Sequence, residues 1–145
     1  MARAKPLLTA GQLVLLVACL ASTVAPAQQI VVNKGLDVTR LEVANLRAIF
    51  GMRMLEWPDG TRVVPYVMTP DSDLHIQFVK GILQIFPYQL QQAWDRLIFS
   101  GTGQSPVVVS SPLEMRRRVA QTPGGIGYLP DGYLNDSVSP VEIIK

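Results

Sequence analysis

The segment Arg62-Val63-Val64-Pro65-Tyr66-Val67-Met68-Thr69-Pro70-Asp71-Ser72-Asp73-Leu74-His75-Ile76-Gln77-Phe78 decides the fold. Its first seven residues are mostly apolar, β-branched or aromatic, as in a strand. Thr69-Pro70-Asp71-Ser72 is a short polar loop, and Leu74, Phe78, Ile82 and Ile85 then recur at helical spacing. A helix start behind a strand presents unpaired N–H groups and the positive end of the helix dipole, which suits an anion. This one holds Asp71 and Asp73 and has no Lys or Arg between Arg62 and Lys80. Architecture favours an anion site and local charge opposes it.

The same alternation of short strands and helices extends outward. Upstream, Gln29-Ile30-Val31-Val32 reads as a strand. Thr39 with Glu42 three residues later forms a capping box for a first helix, with Leu41, Ala44, Ala48 and Ile49 as its inner stripe and Gly51 as its stop. Trp57-Pro58-Asp59-Gly60 is a turn. Downstream, Pro87 breaks the chain before a third helix carrying Leu90, Ala93, Trp94, Leu97 and Ile98, which ends at Ser100-Gly101-Thr102-Gly103. Val107-Val108-Val109 is a continuous apolar strand of the kind buried on both faces. Ser111-Pro112-Leu113-Glu114 combines an N-cap, Pro at the first helical position and an acidic partner, opening a helix that runs to about Thr122. Pro123-Gly124-Gly125 turns into the strand Ile126–Leu129, and Val138–Ile144 is the last strand. The pattern predicts an α/β three-layer sandwich with helices on both faces.

Length limits the chain of 145 residues to one domain. Residues 1–27 have the composition of an export signal: Arg3 and Lys5, the apolar run Leu13–Leu20, and Ala25-Pro26-Ala27 as a small-x-small cleavage site. The apolar run is shorter than the ~20 residues that span a bilayer. Leu16-Val17-Ala18-Cys19 also resembles a lipobox, so lipid anchoring at Cys19 is the alternative to cleavage after Ala27. Arg3 and Lys5 account for the whole formal charge of +2, leaving residues 28–145 with 11 cationic and 11 anionic side chains. A neutral domain carries no electrostatic signal for nucleic acid or a membrane surface. Cys19 is the only cysteine, so the domain at 28–145 has neither disulfide nor thiol chemistry. The expected setting is the periplasm.

The chemistry-bearing residues are few. With one histidine and no cysteine in the domain, neither a nucleophile–base triad nor a usual zinc site can be assembled, and no enzyme is expected. His75 reads as a surface, cap-adjacent residue, and Asp71 and Asp73 as complements of the helix dipole. Arg116-Arg117-Arg118 fan out about 100° apart on their helix and cannot converge on one small anion. Trp57 and Trp94 read as core. Ser100-Gly101-Thr102-Gly103 and Gly124-Gly125-Ile126-Gly127 are helix ends and turns, or backbone that approaches a ligand closely. Neither is a P-loop, since no Lys-Ser/Thr follows.

Taken in order, these segments resemble the substrate-binding proteins of phosphate ABC transporters, which have the type 2 periplasmic binding-protein fold. The matching residues are Val38-Thr39 with Ala48-Ile49-Phe50-Gly51, then Trp57, then Ser72 with Phe78. Trp94 with Phe99-Ser100-Gly101 and Pro123-Gly124-Gly125-Ile126-Gly127-Tyr128 complete the set. The resemblance implies one lobe of a two-lobed fold and phosphate or a related oxyanion as ligand. Thr69, Ser72, Ser100, Gly101, Thr102, Gly124 and Gly125 are then the ligand-binding candidates, with no cofactor and no metal. Phosphate-binding relatives read Arg-x-x-x-Ser-Gly-Thr where this chain has Met68, Ser72, Asp73 and Leu74; only the serine is shared. The missing guanidinium removes a bidentate oxyanion partner. That departure opens a second reading, a single-lobe envelope module that contacts a protein or transporter partner, or a second copy of itself.

Overall fold

The computed structural model describes residues 27–145. The expected export signal and Cys19 lie outside the described residues. The chain order is β1 (Gln28–Asn33), β2 (Arg40–Glu42), α1 (Val43–Phe50), β3 (Val64–Met68) and α2 (Asp73–Gln77). A π-helical segment (Phe78–Leu83) follows, then α3 (Pro87–Ser100), β4 (Val107–Val109), α4 (Pro112–Gln121), β5 (Gly125–Pro130), a 3-10 turn (Asp131–Tyr133) and β6 (Val138–Ile144). The strands form one mixed sheet in the order β2-β6-β1-β5-β3-β4. β1 runs antiparallel to both β5 and β6, whereas β3 runs parallel to β5 and β4, and β2 parallel to β6.

Strand β5 shows how the layers divide. Alternate residues of a strand face opposite sides. A Cβ on Gly127 would stand 2.4 Å from Met115 Sδ of α4, so α4 lies directly on that face. Tyr128, the next residue, stacks on Phe78 with ring centroids 3.8 Å apart and planes 9° apart, and meets Phe50 edge-on at 6.1 Å. One face is therefore covered by α4 and the other by α1, α2, the π segment and α3. This is the three-layer α/β sandwich that the sequence predicts. Among the described residues no helix is long and apolar enough to cross a membrane.

Local chemistry explains most boundaries. Ser111 caps α4 by accepting from Glu114 N–H at 3.1 Å, with Pro112 at the first helical position. The Glu114 carboxylate bonds the Ser110 N–H and hydroxyl, each at 2.8 Å, and those bonds hold it below the usual carboxylate range. Trp57 and Trp94 are core residues, as expected. Their indole N–H groups donate to Gly124 O at 3.0 Å and Phe50 O at 2.8 Å.

Three expectations need correction. No capping box opens at Thr39: Arg40–Glu42 pairs with β6 as a strand, α1 starts at Val43, and Ala44 is exposed while Leu46, Ile49 and Phe50 are buried. Pairing with β6, remote in sequence, overrides the local cap signal. Val107–Val109 is an edge strand rather than a central one, with Val107 and Val108 exposed. Finally, the helix after Ser72 widens into a π segment, and the extra residue per turn rotates its inner face. His75, Phe78, Val79 and Leu83 are buried there, while Leu74, Ile82 and Ile85 pack only partly against the core.

Gly124 has φ +77°, and a Cβ there would lie 1.9 Å from the Arg62 carbonyl oxygen. Left-handed strain and the backbone clash act together, so Gly124→Ala is expected to destabilise the domain by about 3 kcal/mol. Urea unfolding followed by circular dichroism reads this directly; a change under ~1 kcal/mol contradicts the steric account.

Candidate functional site

The loop Thr69–Ser72 leaves the C-terminal end of β3 and delivers the chain into α2. Ser72 N–H donates to Thr69 O at 2.9 Å, closing the loop, and the Ser72 hydroxyl accepts from His75 N–H at 3.2 Å. Ser72 is thus the N-cap of α2. The N–H groups of Asp73 and Leu74 are the unpaired pair that a helix start leaves. Asp71 and Asp73 are exposed beside them. The local field therefore combines a positive helix end with two carboxylates.

Behind the loop lies a polar network that the sequence does not announce. His75 is 2% exposed, which corrects the expectation of a surface histidine. Its ring sits among Trp94, Phe78 and Tyr128, at centroid distances of 6.1, 6.4 and 6.4 Å. Tyr128 Oη accepts from Met68 N–H at 2.8 Å and lies 2.9 Å from His75 Nδ1. The Tyr128 hydroxyl has one proton to give, and Nδ1 is the acceptor in reach. Donor accounting then puts the proton of the neutral imidazole on Nε2. Burial lowers the pKa of His75 below its ordinary 6.5 and raises that of the Tyr128 phenol. Both groups are held neutral.

Gln28 of β1 fixes the other side of the helix start. Its Nε2 donates to Leu74 O at 3.0 Å, while its Oε1 is buried without a partner among the described residues. Gln28, Met68, His75 and Tyr128 converge on the first turn of α2 from β1, β3 and β5. The sequence carries a faint signal for Tyr128, which shares the inward face of its strand with Ile126 and brings a hydroxyl that needs a partner. Nothing in the sequence pairs it with His75.

The seven ligand-binding candidates fall in three places. Thr69 and Ser72 stand together at the C-terminal end of β3. Gly124 and Gly125 lie at the opposite end of the sheet, because Gly125 pairs with Val64 at the start of β3 and Val64 N–H donates to Gly124 O. The length of β3 alone separates the two groups by roughly 13 Å at about 3.3 Å per residue. Ser100, Gly101 and Thr102 end α3, where Gly101 takes φ +68° and the Ser100 and Thr102 hydroxyls meet at 2.6 Å. Ser100 and Thr102 line a cleft with Gly51, Arg53 and Arg96. Arg116 and Arg118 do fan out as expected, Arg116 to Tyr133 O at 2.8 Å and Arg118 toward Glu114 at 3.9 Å. Among the described residues no cluster of three or more His, Cys, Asp or Glu side chains is arranged to hold a metal.

No protein-family model matches the chain, and no curated protein matches it. Solved structures do. An ABC-type phosphate transport receptor from Vibrio cholerae superposes with a TM-score of 0.64 at 17% identity, over 80% of this chain and 45% of the receptor. PstS from Borrelia burgdorferi gives 0.63 at 17% identity, over 81% and 47%. A substrate-binding protein assigned to phosphate ABC transport from Clostridium perfringens, solved with phosphate bound, gives 0.65 at 16% identity, over 80% and 44%. The chain spans less than half the length of each. Its fold is that of one lobe of phosphate-transport substrate-binding proteins, as the sequence resemblance implies.

A buried neutral histidine makes stability depend on pH. Below pH 6.5 the unfolded chain takes up a proton that the folded His75 resists. Stability is complete above that pH and falls as pH drops toward the lower folded-state value, by up to ~1.4 kcal/mol per pH unit. His75→Gln retains an acceptor for Tyr128 but cannot titrate, so its stability profile from pH 7 to 5 should be flatter than that of the wild type. Parallel profiles from chemical unfolding at each pH would show that His75 does not titrate in this range.

Proposed function

We propose that the chain is an exported solute-binding lobe, with residues 1–27 as its signal peptide and 28–145 as its periplasmic domain, and that it takes phosphate or a related small oxyanion. The observation that carries this reading is the Ser72 helix start, an open α2 N-terminus behind β3 on the fold of phosphate-binding lobes. Asp73 and Leu74 N–H groups would donate to the anion, with the Ser72 and Thr69 hydroxyls beside them. Lipid anchoring at Cys19 is the alternative form of export. What supports binding rather than catalysis is the likeness in fold to solved substrate-binding proteins.

A specific observation favours a second reading. The sequence resemblance puts Met68 where phosphate-binding relatives carry Arg, and in the structure its N–H is already taken by Tyr128. Asp73 adds repulsion where an oxyanion would sit, and the Ser72 hydroxyl already accepts from His75 N–H. A lobe with these losses suits protein contact in the envelope, with a transporter component or a second copy as partner.

Titration calorimetry of the 28–145 domain with inorganic phosphate separates the two. The first reading expects measurable binding that falls at least tenfold in Ser72→Ala, with the helical circular dichroism retained. No heat at millimolar phosphate in a folded sample, or equal affinity in the variant, removes phosphate capture at this loop.

A two-walled ligand cleft can be rebuilt from two single lobes related by a twofold axis. Phosphate-dependent dimerisation in analytical ultracentrifugation is the expected result under the binding reading. A monomer at every phosphate concentration excludes that route to closure.

A further inference from the structure

The cleft between the C-terminal ends of α1 and α3 is chemically unlike the Ser72 helix start. Gly51, Arg53, Ala93, Arg96, Leu97, Ser100 and Thr102 enclose about 520 Å³ there, and no carboxylate lines it. Ala93, Arg96, Leu97 and Ser100 are spaced as one stripe of α3. Leu90 and Trp94 face the core, whereas Ala93 and Leu97 are half-buried and Arg96 and Ser100 exposed. Trp94 Nε1–H donates to Phe50 O at 2.8 Å and ties the middle of α3 to the end of α1.

Arginines near helix C-termini often serve the helix dipole. Here the last four carbonyls of α1 are paired, Phe50 O by the Trp94 indole, and so are those of Leu97 and Ile98 at α3. Gly51 N–H donates to Arg47 O, Met52 N–H to Ile49 O, and both Arg53 and Met54 N–H to Ala48 O. At α3, Gly101 N–H donates to Ile98 O, and Thr102 and Gly103 N–H donate to Leu97 O. Among the described residues neither Arg53 nor Arg96 makes an ion pair, as the two bridges present are Arg40–Glu142 and Arg118–Glu114. Their guanidinium forks are thus available in a site with hydroxyls on its rim. Ser100 Oγ donates to Leu97 O at 3.2 Å and meets Thr102 Oγ1 at 2.6 Å, so both hydroxyl protons are used within the helix end.

We infer that this cleft binds the phosphate group of a small organic phosphate, held by Arg53 and Arg96. The volume exceeds what a bare oxyanion needs, and Ala93 and Leu97 offer apolar wall to the organic part. Guanidinium–phosphate contact is bidentate and charge-assisted, the strong form of such bonds. The site is separate from the Ser72 helix start and stands whether or not that start binds phosphate.

Glycerol 3-phosphate and inorganic phosphate serve as probes, each titrated into the isotopically labelled 28–145 domain at constant ionic strength. Backbone amides of Gly51–Arg53 and Ser100–Thr102 should shift with both, and the ester should bind more tightly. Arg53→Ala and Arg96→Ala should each weaken binding of the ester about fivefold, and the pair about 25-fold, as expected for exposed charge contacts. Ser72→Ala should leave it unchanged. Unaltered affinity in the folded double variant overturns the inference, as does a loss of ester binding in Ser72→Ala alone. A lack of amide shifts around this cleft at a large ligand excess also overturns it, whereas loss of inorganic phosphate binding at Ser72 alone counts only for the helix start.

Discussion

The hydroxyl of Tyr128 is the constraint on which the rest of the domain depends. It accepts the Met68 N–H at the end of β3 and meets His75 Nδ1 in α2 while its ring stacks on Phe78 of the π segment. A buried backbone donor left unpaired costs about 1–3 kcal/mol. One side chain of β5 therefore fixes the end of the neighbouring strand, the first turn of the following helix and the packing of the layer above. Phe50 meets Phe78 edge-on at 4.7 Å, packing α1 against the π segment. Gly127, one residue before Tyr128, lets α4 close on the other face.

This arrangement sets the character of the Ser72 loop. In an anion site of the strand–loop–helix type, polar groups around the helix start are left facing the ligand. Here several face inward: Met68 N–H to Tyr128, Leu74 O to Gln28, and His75 N–H to Ser72. The loop is closed by its own contacts, Ser72 N–H to Thr69 O and His75 N–H to the Ser72 hydroxyl. What it still offers an anion is the first-turn N–H pair, set against Asp71 and Asp73. The cleft by Arg53 and Arg96 has the reverse balance, with cationic side chains and no helix N-terminus. Side-chain charge and backbone polarity, which act together in a strong oxyanion site, are thus located at different places on this lobe.

Much of the fold was legible because it follows from local chemistry. The Ser111-Pro112 helix start, the Gly101 helix end, the Pro123–Gly125 turn and the core tryptophans are each signalled by residues close in sequence. What stayed hidden depends on long-range contact. Arg40–Glu42 reads as a helix start until β6, about 100 residues later, pairs with it. Val107–Val109 is apolar enough for a central strand, and only sheet order makes it an edge. The π segment turns on one extra residue per turn, which hydrophobic spacing cannot distinguish from an ordinary helix. For the site, Ser72 as N-cap was readable from the loop, whereas the burial of His75 was not. Its partner lies 53 residues away, and a lone histidine beside two aspartates looks like surface.

An open lobe limits what any of these groups can achieve alone. A charge contact exposed to water contributes about 1 kcal/mol or less, whereas the same contact in a water-excluded cleft gains as the effective dielectric falls. Two-lobed binding proteins obtain that exclusion by closing one wall on another. The described residues supply one wall, and the solved structures matched in fold are more than twice as long. On the binding reading, tight capture would need a second surface that excludes water from the site. This requirement joins the two functional readings. Ligand capture and protein contact are alternatives for an isolated lobe, but for a lobe whose site is completed by its partner they are one event.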